Sequence, residues 1–303
     1  MSYKELYLNP RPNVFGGVSW RRDKTPLSLI GVPFDSTSSY KPGSRFAPDY
    51  IRIASRNIEL YSIRSQVDVE EYGVYDEGDI AVVYGDVEKT LERVERVLSD
   101  IFSESRFPVV IGGEHTISYG VIKAISKRSV GVVVFDAHLD LRDGYMGLRF
   151  SHASVMKRVS EILEPGSLFY VGVRAVSREE LGEVSRLGHE YILITSLRRL
   201  GLREVIKRFI RWSERYKTLY ISIDVDALDP SVAPGVETPE PDGLMTWELL
   251  DLLDEIIDPR VVGVDIVEIN PLNDPSEITV MLGSRIIVEI AAKIISLKRR
   301  SGG

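Results

Sequence analysis

Four short stretches of this 303-residue chain concentrate side chains that bind metals or move protons. GGEHT (112–116) places His115 where a helical segment begins. VVVFDAHLDLRD (132–143) starts apolar, then packs Asp136, His138, Asp140 and Asp143 into eight positions. SIDVDALDP (222–230) carries Asp224, Asp226 and Asp229, and GVDIVEINP (263–271) carries Asp265 and Glu268.

Asp136, His138 and Asp140 alternate, so in an extended chain they point the same way. Asp224 and Asp226 repeat the pattern. Carboxylates clustered at the end of an apolar run repel one another and resist desolvation, and a divalent cation removes that cost. His115, Asp136, His138, Asp140, Asp224 and Asp226 make six candidate ligands. A catalytic zinc usually takes three protein ligands. Six suit two metals sharing bridging carboxylates, and a set rich in oxygen favours Mn²⁺ over Zn²⁺. Asp229, just before Pro230, fits a turn residue or a group holding a ligand from behind, and the second role is favoured. Glu268 offers an anion to a cationic substrate. Asp265 is left without a role.

The elements that must position these residues are legible as a pattern. Apolar, β-branched runs predict strands at 27–32, 107–112, 130–135, 168–173, 191–195, 218–224 and 261–269, with a weak one near 71–75. Amphipathic stretches predict helices near 46–61, 87–105, 116–127, 152–162, 178–187, 202–216, 246–257 and 276–298. Continuous apolar strands alternating with helices indicate a parallel sheet covered on both faces, in one domain spanning 1–303. Periodicity alone leaves a closed barrel and an open sheet both standing. In either, ligands sit beyond the carboxyl ends of the strands, where all four polar stretches fall.

Composition narrows the chemistry. A net charge of −7 without a basic stripe gives no reason to expect nucleic-acid or anionic-membrane binding. The absence of cysteine excludes disulfides, thiolate nucleophiles and Cys-ligated zinc. No signal-peptide core or long apolar run is visible, so a soluble cytoplasmic protein is expected.

GGEHT, DAHLD, SIDVDALDP and VEINP resemble, in the same order, the four metal-site motifs of the ureohydrolases, the arginase and agmatinase family. GVPFDSTSSYKPGSRFAPDYIR (31–52), GVRAVSREE (172–180) and DPSVAPGVETPEPDGL (229–244) are similar to agmatinase segments. The resemblance covers nearly the whole chain. It implies a three-layer αβα sandwich on an eight-stranded, mostly parallel sheet. It also implies two Mn²⁺ per subunit and hydrolysis of a guanidinium group to urea and an amine, by attack of hydroxide held between the metals. One metal would take His115, Asp136, Asp140 and Asp224, and the other His138, Asp136, Asp224 and Asp226. Glu268 resembles the glutamate that binds the guanidinium, and His152, in RFSHASV, resembles a loop histidine that protonates the leaving amine. A homo-oligomer, trimer or hexamer, is also implied. SREE (177–180) doubles as a helix-capping pattern, and His189 reads as a surface residue.

Some residues depart from the common pattern. Leu139 stands where many ureohydrolases have Thr, and DLRDGY resembles formiminoglutamases. The loop LRDGYMGLRFS lacks the Asn expected of an arginine binder. Agmatine, giving urea and putrescine, is the leading substrate. N1-aminopropylagmatine is next, with guanidinobutyrate, arginine and formiminoglutamate behind. A non-catalytic binding protein derived from the family is the remaining alternative, disfavoured because every candidate site residue is present.

Overall fold

A computed structural model of the chain describes residues 2–301. Eight parallel strands form one sheet: β1 (Leu27–Gly31), β2 (Tyr75–Ile80), β3 (Phe107–Ile111), β4 (Val130–Phe135), β5 (Leu168–Val173), β6 (Glu190–Leu193), β7 (Thr218–Asp224) and β8 (Val261–Val267). Their spatial order is β2-β1-β3-β8-β7-β4-β5-β6, and a two-residue strand, Leu8–Asn9, adds antiparallel to β2. The sheet is open, as the family resemblance implies.

Alternation along each strand builds the three layers. Val133 and Phe135 of β4, with Leu219, Ile221 and Ile223 of β7, join a core covered by helices Ala47–Ala54, Leu202–Ser213, Thr246–Ile256 and Ile278–Ser301. Val132 and Val134 of β4, with Tyr220 of β7, face helices Val87–Ser103, Ser118–Ile125 and Val155–Ile162. Strands buried on both faces must be apolar throughout, which is why they were legible.

The exception is β2, which runs 75–80 rather than 71–75 and reads YDEGDI. Its acidic residues belong there because Arg52, fully buried, donates to Asp76 at 2.8 and 2.9 Å and to Asp79 at 2.6 Å. A buried ion pair of this kind hides a strand from hydropathy. The helix at Ile194–Leu200 went unforeseen, because its first residues read as the end of a strand.

The order of strands decides where the chemistry sits. The four that carry the polar stretches, β3, β8, β7 and β4, are adjacent at the centre of the sheet. Their carboxyl ends therefore open onto one spot.

Candidate metal centre

The turn after β3 is set by Gly113, whose added Cβ would lie 1.8 Å from the carbonyl oxygen of Phe34, closer than any real contact. The Gly113 carbonyl accepts from Glu268 N at 2.8 Å, locking the ends of β3 and β8 together. His115 follows, fully buried.

Convergence of the aspartates does not come from strand alternation as expected. β4 stops at Phe135, and His138 N donates to Asp136 Oδ1 at 2.6 Å, closing a side-chain turn. Asp140 then takes a left-handed φ of 52°. After β7 the same device recurs, with Asp226 N donating to Asp224 Oδ1 at 2.8 Å. Asp226 Oδ1 accepts from Ala137 N at 3.1 Å. Asp136, Asp224 and Asp226 thus each spend one oxygen on the backbone and turn the other inward.

The inward atoms form two adjacent groups. His115, Asp136 and Asp224 make one; Asp136, His138 and Asp226 make the other, and within each group the donor atoms lie within 4.8 Å of one another. Asp136 is shared. His115 Nδ1 is 3.3 Å from Asp136 Oδ2, 3.0 Å from Asp140 Oδ2 and 3.3 Å from Asp224 Oδ2. His138 Nδ1 is 3.0 Å from Asp226 Oδ2 and 3.5 Å from Asp136 Oδ1. All six sequence candidates therefore meet.

Electrostatics show what the cluster is suited to hold. Burial and Asp136 push the Asp140 carboxyl up to about 7. Burial, Asp226 and Asp136 push Asp224 well up. Burial works against charge on His115 and His138, yet the surrounding carboxylates raise both well above the ordinary histidine value. This much negative charge in a buried space calls for added cations. His115 Nδ1 and Asp136 Oδ2 are buried and make no hydrogen bond among the described residues, as atoms reserved for an ion would be. The donor set of imidazole nitrogen and carboxylate oxygen fits a pair of divalent cations such as Mn²⁺.

Behind His115 lies an outer support that sequence reasoning missed. His115 Nε2 is 3.0 Å from Ser222 Oγ, which donates to Asp265 Oδ1 at 2.6 Å; Tyr220 donates to Asp265 Oδ2 at 2.8 Å. The chain fixes the ring so that Nδ1 faces the cleft. Asp265 was visible as a carboxylate in an apolar strand, but its pairing with Ser222 depends on the register of β8 against β7. Arg174 was also missed. Its guanidinium donates to the carbonyls of Asp226, Leu228 and Glu240, clamping the loop after β7.

Two expectations need correction. Asp229 makes no hydrogen bond to the six ligand candidates; it accepts from Ser231, Asp242 and Gly243 N at 2.9, 2.9 and 3.0 Å, closing the loop between them. His189 is buried, not superficial, because its ring packs under β5 with Nε2 2.8 Å from Ser160 Oγ. SREE does cap its helix, with Ser177 Oγ accepting from Glu180 N at 3.2 Å.

A cleft of about 410 Å³ opens over the cluster. Glu268 and His152 line it. Glu268, at φ 66°, accepts from His115 N through Oε1 at 2.7 Å, and its Oε2 is buried with no hydrogen-bond partner among the described residues. His152 is held by Ser39 Oγ at 3.2 Å and Thr37 Oγ1 at 3.4 Å. Burial keeps its pKa below the ordinary histidine value, against the pull of Glu237. Glu240 and Arg142 stand at the mouth.

A profile described as the Arginase family matches residues 25–292. The chain is 35% identical over 266 residues to the agmatinase of Bacillus subtilis, covering 86% of this chain and 89% of that protein. It is 34% identical over 262 residues to the N(1)-aminopropylagmatine ureohydrolase of Thermococcus kodakarensis, covering 85% and 88%. Among solved structures, the agmatine ureohydrolase of Thermoplasma volcanium superposes with a TM-score of 0.88 at 34% identity, covering 96% of this chain and 97% of that one.

Proposed function

The chain belongs to the arginase family and is an enzyme of the ureohydrolase type, and from that premise we propose that it hydrolyses agmatine to urea and putrescine. The observation that carries this reading is the free, buried Oε2 of Glu268 beside two metal-ligand groups that share Asp136. A guanidinium entering the cleft meets a carboxyl oxygen with no competing partner among the described residues; burial, Asp224 and Glu237 push this carboxyl's pKa up, and a bound cation favours its ionised form.

His115, Asp136, Asp140 and Asp224 would hold one cation, and His138, Asp136, Asp224 and Asp226 the other. When bound, such cations lower the pKa of water from 15.7 towards about 7, the strength of nucleophile that a resonance-stabilised guanidinium demands. Glu268 accepts guanidinium N–H groups and orients the carbon towards the cluster. Hydrolysis adds water across one C–N bond, so urea keeps the oxygen and the amine must gain a proton. His152, whose pKa burial lowers, would take a proton released by the attacking water and pass it to the departing nitrogen.

At the mouth Arg142 stacks over Tyr145, its charged carbon 5.1 Å from the ring centre, with its Nε 3.8 Å from Glu180. Glu240, whose Oε1 lies 3.9 Å from His138 Nε2, adds a carboxylate to the same cleft, which supports a substrate with a cationic tail, agmatine, over guanidinobutyrate or arginine. N1-aminopropylagmatine, with a longer cationic tail, is the second reading, supported by the Thermococcus relative. Comparing kcat/KM for urea release from these four compounds, and for formamide release from formiminoglutamate, tests the order. A preference for arginine or guanidinobutyrate would overturn it. Assembly into a trimer or hexamer is part of the same proposal, checked by light scattering.

A further inference from the structure

A second glutamate faces Glu268. Val236 pairs antiparallel with Ile269, and Asn270 N donates to Gly235 O at 2.6 Å, so the loop after β7 runs back along the end of β8. That register sets Glu237 opposite Glu268. Like charges directly across such a pair are destabilising, and both residues are buried, at 3% and 5% exposure. A fold that keeps them has a use for both.

Their bonding is matched. Glu237 Oε1 accepts from Ser39 N at 2.6 Å and from Tyr40 N at 2.8 Å, while its Oε2 is buried without a partner. Glu268 Oε1 is spent on His115 N, and its Oε2 is likewise free. Both residues line the same cleft, and neither belongs to the two metal-ligand groups.

We propose that Glu237 and Glu268 form a two-carboxylate clamp for the guanidinium, with Glu237 a substrate-binding residue that selects guanidino compounds. The proposal rests on the functional reading above. A guanidinium presents N–H groups along each edge of a plane, and one free carboxylate oxygen can take an edge. Two such oxygens on facing residues take different edges. A formimidoyl group carries C–H where a guanidinium carries an amino group, so it cannot satisfy both. The cation also relieves the repulsion between the pair.

Glu237→Gln isolates the free oxygen. The amide oxygen must stay with the Ser39 and Tyr40 donors, which places the NH₂ where Oε2 stood, against the substrate's own donors. In the manganese-loaded enzyme, KM for the best guanidino substrate should rise about ten-fold or more with kcat within about three-fold. Methylguanidine should bind more weakly by the same factor, and bound Mn²⁺ should be unchanged. Glu237→Asp, which withdraws the charge by one methylene, should fall on the same side and serves if the Gln variant misfolds. Unchanged KM and methylguanidine affinity would overturn the clamp and leave the functional reading standing. If the unaltered enzyme releases no urea from any guanidino compound, the functional reading falls, and methylguanidine still decides. Binding weakened by Glu237→Gln supports the clamp; equal binding, or none to either protein, overturns it.

Discussion

Asp265→Asn tests whether the buried chain behind His115 serves the metal centre. Asp265 accepts two hydroxyl donors, from Ser222 at 2.6 Å and Tyr220 at 2.8 Å. An asparagine can accept only one of them, since its NH₂ faces the other. The hydroxyl that loses its acceptor must find another or cost folding about 1–3 kcal/mol. The larger consequence is directional. Ser222 is freed to donate towards His115 Nε2, which favours the tautomer with its proton on Nδ1, the cleft-facing nitrogen. Loss of such outer support costs 10–100-fold in metal affinity, about 1.4–2.7 kcal/mol. His115 belongs to one ligand group only, so the loss should be selective. Calorimetric titration of the chelator-stripped variant with Mn²⁺ should show one binding step weakened by that factor and the other within about three-fold of the unaltered protein. Two unchanged steps, or two steps weakened equally, would refute the assignment of Asp265 to His115.

Three further outcomes are expected. Asp136→Asn removes the ligand common to both groups, so metal content measured by elemental analysis should fall for both cations and urea release should drop at least about 100-fold; near-normal values would defeat the shared-ligand geometry. His152→Ala should keep both cations yet slow turnover about 10²–10⁴-fold, and loss of metal instead would put His152 in a different role. His189 is held neutral, its Nδ1 accepting from Leu168 N and its pKa pushed by burial to about 4 from 6.5. Below 6.5 the unfolded chain takes the proton and the folded one does not, so stability falls as pH drops from about 6.5 to about 4, by about 3 kcal/mol at most. His189→Asn should flatten that part of the denaturation profile, and parallel profiles for the two proteins would contradict it.

The site was more legible than its supports, for a physical reason. Ligand residues for two cations are dense in charge and sit where apolar strands end, so DAHLD and DVD stand out from a chain that is otherwise apolar or helical at those points. The sheet was legible wherever burial on both faces forces an apolar run, and failed at β2, where Arg52 neutralises Asp76 and Asp79. What could not be read were relations across space. Asp265 matters because of a strand register, Arg174 because of carbonyls from a loop some fifty residues on, and Glu237 because of a single bridge between its neighbour Val236 and Ile269. Asp229 illustrates the converse: close to Asp226 in sequence, it spends its carboxylate on the backbone of Ser231, Asp242 and Gly243.

The most direct measurement is urea release from agmatine as Mn²⁺ is returned to chelator-stripped protein, with bound metal counted at each step. The expected result is urea and putrescine in equal amounts, with turnover reaching its plateau at two Mn²⁺ per chain. A plateau at one cation, or no urea at any loading, would contradict a guanidinium hydrolase built on two cations sharing Asp136.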